Sequence, residues 1–145
     1  MRRFAFIAVV LALAWWLQSG EPGLDVLAPN TNPATGAEQI ERAFAERVGD
    51  LQVRGRGRVV RVLPPDNDGR PHQRFILELD GGHTVLVAHN LTLADPVEDL
   101  RRGDEVEFFG EYEWNPRGGV IHWTHHDPAG RHADGWLRHR GRMYQ

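Results

Sequence analysis

The sequence predicts a mainly β domain: a small five-stranded antiparallel barrel, with an amphipathic helix before it and a short helix between strands 3 and 4. Three observations predict this. After Leu51 the apolar residues recur with a period of two. The runs are separated by turns rich in Gly, Asn, Asp and Pro, and the clearest helical spacing is confined to residues 35–49.

The chain starts differently. Arg2 and Arg3 precede an unbroken apolar run from Phe4 to Leu17, followed by Gln18, Ser19 and Gly20. A basic start, a short apolar stretch and small polar residues form the pattern of a secretory signal peptide. The run is shorter than the ~20 apolar residues that span a bilayer comfortably. No clean small-x-small cleavage site precedes Glu21, and Trp15 and Trp16 suit a membrane interface, so an uncleaved anchor through residues 4–17 is the alternative. The expected location is periplasmic or secreted, inner-membrane anchored if the segment is retained. Residues 21–34, with Pro22, Gly23, Pro29, Asn30, Asn32 and Pro33, read as a linker, and residues 35–145 as one domain.

Thr35 and Glu38 form a capping box that opens a helix. Ile40, Ala43, Phe44 and Val48 share its apolar face, and Gly49 is the expected stop. In the first strand Val53, Gly55, Gly57 and Val59 face inward, after which a one-residue slip moves the inward set to Val60 and Val62. Such a slip is the signature of a β-bulge. It leaves Arg54, Arg56, Arg58 and Arg61 outward. Residues 64–71 read as a long turn. Gly81-Gly82 is the expected two-residue hairpin loop, which sets Phe75, Leu77, Leu79, Thr84, Leu86 and Ala88 toward the core and His89 away from it. Asp95-Pro96 begins the expected short helix, ended by Gly103. Val106, Phe108, Gly110, Tyr112 and Trp114 alternate along a fourth strand. Asn115–Gly118 turns the chain into a fifth, from Gly119 to His125 or His126, with Gly110 opposite Trp123 and Tyr112 opposite Ile121. A bulged first strand and a helix between strands 3 and 4 make the expected barrel OB-like; another small barrel or a two-sheet sandwich accommodates the same strands.

Composition narrows the chemistry. The 145 residues contain no cysteine, which excludes disulfides, thiolate metal sites and a cysteine nucleophile. Every fixed cation is arginine, and without residues 1–20 fifteen arginines stand against twenty carboxylates. That balance opposes generic nucleic-acid binding, which depends on neutralising phosphates. The outward arginines of the first strand are expected to pair with the Glu105, Glu107, Glu111 and Glu113 row of the fourth. They lack the interleaved aromatic residues that a single-stranded nucleic-acid groove needs.

Five of the eight histidines lie between His122 and His139. Imidazole is a common ligand of zinc and copper, so the cluster is a candidate metal site. If both are extended, His122 and His126 stand ~13 Å apart, too far to share one ion. His122 then lies beside Glu111, and His126 beside Glu107. A turn at Asp127–Gly130 folds His132 back, making His125, His126, Asp127 and His132 the expected metal set. Structural, hydrogen-bonded histidines are the competing reading. His89 and Asn90 at the barrel mouth, with His122 and Trp123, are the expected ligand-binding residues.

The stretches His89-Asn90-Leu91, Gly110–Asn115, Gly118–Pro128, Arg131-His132, Gly135-Trp136 and Tyr144-Gln145 resemble an uncharacterised bacterial family of small exported proteins, a domain of unknown function. The resemblance covers roughly the C-terminal half. It implies export and a small β domain, and no activity. A looser architectural similarity to periplasmic haem chaperones makes haem a less favoured cofactor than a transition metal, because their attachment motif is missing. The leading functional expectation is therefore an exported binding module for a small ligand or metal ion. A metal-dependent phosphodiester hydrolase is the alternative, though no nucleophile–base spacing supports an enzyme. A nucleic-acid or oligosaccharide-binding domain is the third reading. The sequence leaves the oligomeric state open.

Overall fold

The structure is a computed structural model and describes residues 35–66 and 69–145. The export segment and linker read from residues 1–34 lie outside the described residues. Helix α1 (Gly36–Glu46) begins as its sequence requires. The Thr35 hydroxyl accepts from the Glu38 amide, and the Glu38 carboxylate accepts from the Thr35 amide at 2.7 Å. Ala37, Ile40 and Ala43 are buried. The helix stops at Arg47, which takes a left-handed conformation (φ 57°), rather than at Gly49, and the chain turns Val48 into solvent. Gly49 has another role: a Cβ there would collide with the Glu113 carboxylate.

Seven strands follow: β1 (Leu51–Asp66), β2 (His72–Glu78), β3 (Thr84–Asn90), β4 (Glu105–Glu113), β5 (Val120–His122), β6 (Trp136–His139) and β7 (Arg142–Tyr144). They form one sheet in the order β1-β2-β3-β5-β4-β6-β7, and an extra β1–β4 pairing closes a ring of five strands. The ring is not purely antiparallel, because β5 runs parallel to β3 through Leu86–Val120 and Val87–Ile121. Val53, Val59, Phe75, Leu77, Phe108, Tyr112 and Ile121 fill it.

The expected bulge lies in β1. Val59 pairs with Leu77 and Arg61 with Ile76, leaving Val60 as the extra residue. The inward set beyond it is not sustained: Val60 is half-buried and Val62 is exposed. β1 leaves β4 after Arg58 and continues with β2 alone, so no opposing layer covers Val62. A second irregularity between Leu63 and Asp66 accommodates Pro64 and Pro65, so residues 64–66, expected in the turn, belong to β1.

The β2–β3 hairpin corrects the expected register. Its loop has three residues, Asp80, Gly81 and Gly82. The Leu79 amide donates to the His83 carbonyl, and Gly82 supplies the positive φ of 83°. One extra loop residue turns β3 over. Val85, Val87 and His89 are buried, whereas Thr84, Leu86 and Ala88, expected inside, face outward. β2 keeps its predicted inward residues Phe75 and Leu77.

Residues 95–103 form turns, not the expected helix. Both polar groups of the Val97 backbone bond to the Gln73 side-chain amide, at 2.7 and 2.9 Å, and Asp99 is left-handed (φ 51°). The fourth strand is as predicted, with Val106, Phe108, Gly110 and Tyr112 inward. The fifth strand is shorter than expected, since Trp123 is left-handed (φ 52°) and ends it at His122. Tyr112 does pair with Ile121. Thr124, rather than Trp123, covers Gly110, and Trp123 is half-buried. The C-terminal residues form the β6–β7 hairpin. It pairs with the first half of β4 and buries Leu137 and His139.

Candidate functional site

The outer face of the β4–β5 pair gathers ionisable groups. Glu111 and Glu113 are two apart on β4 and therefore share a face, and His122 of β5 is the direct cross-strand partner of Glu111. One ligand atom each from Glu111, Glu113 and His122 all lie within 4.8 Å of one another. The His122 Nε2 atom is buried and stands 3.2 Å from Glu111 Oε1, its ion-pair partner. Burial pushes the His122 imidazole below the usual histidine range, although the Glu111 and Glu113 carboxylates pull the other way. An imidazole nitrogen and two carboxylates gathered this closely are a ligating arrangement.

His132 completes the cluster's edge. Its Nδ1 is 3.5 Å from the second Glu111 oxygen, and its ring stacks on Trp123 with centroids 3.8 Å apart and planes at 18°. Asp127 positions it. One Asp127 oxygen accepts from the Arg131 and His132 amides at 2.7 and 2.9 Å, and the other from the Ala129 amide at 2.9 Å. These amide hydrogen bonds, that of Ala129 foremost, hold the Asp127 carboxyl below the usual range.

The four residues expected to form a metal set are not brought together. Asp127 uses both oxygens on backbone amides. His126 turns outward to Asp134, with Nδ1 2.8 Å from its carboxylate, and not to Glu107. His125 is buried, with Nδ1 2.8 Å from the His126 carbonyl. His132 alone of the four reaches the Glu111 cluster. Of the expected ligand-binding residues, Asn90, His122 and Trp123 line one recess. His89 lies inside the ring, where Nδ1 is 2.8 Å from the Thr124 hydroxyl and Nε2 is 3.1 Å from the Asp95 carbonyl. The carbonyl can only accept, so Nε2 carries the proton and Nδ1 accepts from Thr124. Burial lowers the His89 pKa to about 4.

Sequence reasoning placed His122 beside Glu111 but did not count either residue in the expected metal set. The available signal was two glutamates at strand spacing opposite one histidine. It also missed aromatic groups beside the arginine stripe: Trp136 lies under Arg54 and Arg138, whose guanidinium carbons are 5.3 and 5.2 Å from the ring centroid. Both arginines also face Glu107, at 4.0 and 3.7 Å.

Fold and cluster together define a mainly β domain with a mixed carboxylate–imidazole group on its outer face. The model of the family described as "Protein of unknown function (DUF3465)" matches residues 26–145, and the chain belongs to that family. No curated protein and no solved structure matches the chain.

Proposed function

We propose that the protein is an exported binding module, an OB-like barrel that holds a divalent transition metal, zinc or copper, on the outer face of β4 and β5. Glu111, Glu113 and His122 are the ligands, and His132 is the adjacent imidazole that completes the sphere. The observation that carries this reading is the convergence of one ligand atom each from Glu111, Glu113 and His122 within 4.8 Å of one another. Nitrogen and oxygen donors without thiolate suit zinc or copper(II), and copper(II) stands highest in the divalent affinity order. Export rests on the sequence of residues 1–20 and the location it implies, periplasmic or secreted.

The test is calorimetric titration of untagged, chelator-treated protein with zinc and with copper(II). Stoichiometric binding is expected, weakened at least ~10-fold by His122→Ala or Glu111→Gln, in line with loss of a ligand. The His125→Ala/His126→Ala variant should bind as the parent does. Binding below about a tenth of an equivalent for both metals disproves the reading.

A further inference from the structure

We infer that a second site, beside Trp123, binds a small flat aromatic molecule carrying an anionic group. Two recesses of about 310 and 340 Å³ adjoin there, sharing Arg70, Asn90, Leu93 and Trp123 in their linings. Each is at the lower end of the size range of small-molecule sites. Ala88 extends the apolar wall of the first, and Pro128 that of the second. Leu93 is one of the few large apolar side chains left exposed among the described residues.

The charge is asymmetric. Arg70 lines both recesses and Arg131 lines the second. Among the described residues neither guanidinium has a hydrogen bond or ion pair; only the Arg131 backbone amide is engaged, by Asp127. Asp127 is the one carboxylate in either lining, and both its oxygens are directed at backbone amides. Two free guanidiniums over an apolar floor match an anion with an apolar body, since a guanidinium offers paired donors to carboxylate or phosphate.

The indole is fixed in place. A bulky aromatic residue rarely adopts a φ of 52°, and the surroundings must enforce it. His132 stacks on the ring. Gly135 admits the Trp123 carbonyl where any Cβ would collide. The indole so fixed lines both recesses, and with His132 on one face only its other face is left for a ligand to stack on. Stacking on Trp123 supplies the sequence-independent part of affinity for a flat ring, and Arg70 and Arg131 select the anion. The same chemistry is met by an aromatic carboxylate and by a mononucleotide.

The test is a nitrogen–proton NMR titration of the purified chain in chelator, so that it does not depend on the metal reading. The probes are 2-naphthoate, adenosine 5′-monophosphate and neutral 2-naphthamide. The Trp123 indole signal, assigned with Trp123→Phe, is expected to shift saturably with at least one of the anions. Naphthoate binding by itself identifies the carboxylate source, and monophosphate binding the nucleotide source. The neutral amide should bind about tenfold or more weakly than naphthoate if naphthoate binds, and Arg70→Gln and Arg131→Gln should each weaken the anion about tenfold. Unchanged signals elsewhere in the spectrum show that those variants are folded. Equal affinity for naphthoate and naphthamide, shifts centred on the Trp136 indole, or no saturable shift with either anion would overturn the inference.

Discussion

His89 offers the sharpest test of the fold, because its burial depends on a single extra residue in the β2–β3 loop. Its pKa falls from 6.5 to about 4 as burial penalises the charged ring. A histidine with a depressed folded-state pKa costs nothing above the unfolded value, where both states are neutral. As pH drops through 6.5 the unfolded chain takes up a proton that the folded one refuses, so stability falls. The loss levels off below the folded pKa. At ~1.4 kcal/mol per unit the full loss is about 3 kcal/mol, and about 2 kcal/mol of it is reached by pH 5. Urea unfolding at pH 7 and pH 5 reads this directly. With a slope of 1–3 kcal/mol per molar, roughly 1 M of the midpoint should disappear in the parent protein. His89→Gln keeps a partner for Thr124 and removes the titration, so its midpoint should move much less. His122, also depressed by burial, contributes with the same sign in both proteins and cancels from the difference. The lowered carboxyls of Asp104, Asp127 and Asp134 lose their contribution only below the ordinary carboxylate range, outside this window. An identical midpoint change in parent and variant would show that His89 is not buried, and would return β3 to the other register.

Three further outcomes follow from particular contacts. Gly110→Val should lower stability by about 1–3 kcal/mol in denaturant titration, because a side chain there meets the His122 carbonyl and the Thr124 methyl; no loss would place β5 elsewhere. Asp127→Ala removes the acceptor of the Ala129, Arg131 and His132 amides, so these should exchange with deuterium about tenfold faster or more, while the β4 amides keep their protection. Intact-mass measurement of protein recovered from the periplasm or medium should show a chain shortened by the signal segment near residue 20; a full-length chain found only in the membrane fraction would establish the anchor instead.

Local signals were legible wherever one physical cause decided the structure. Thr35 and Glu38 can satisfy each other only at a helix start, and the alternation from Val106 to Tyr112 left β4 no second register. The one-residue slip at Val60 disclosed the bulge in the same way. Where two local solutions were close, a distant contact chose between them. Gly81-Gly82 suits a loop of two or three residues, and the choice decides which face of β3 is buried. Asp95-Pro96 has the capping chemistry of a helix, yet the Gln73 side chain takes the Val97 backbone and no helix forms. Trp136–Tyr144 holds strand-like alternation at Leu137 and His139, but a fifth strand running to His126 already occupied the first half of β4, which β6 in fact takes. The site followed the same division. The opposition of His122 and Glu111 came from register. The fate of the loop histidines depended on Asp127, whose organisation of the backbone amides cannot be read from spacing.

The most direct test of the whole account is anomalous X-ray scattering from crystals of the protein equilibrated with zinc. It predicts a single strong peak ~2.0–2.1 Å from His122 Nε2 and within bonding reach of the Glu111 and Glu113 carboxylates. A peak among His125, His126 and Asp127, or none on the β4–β5 face, would contradict it.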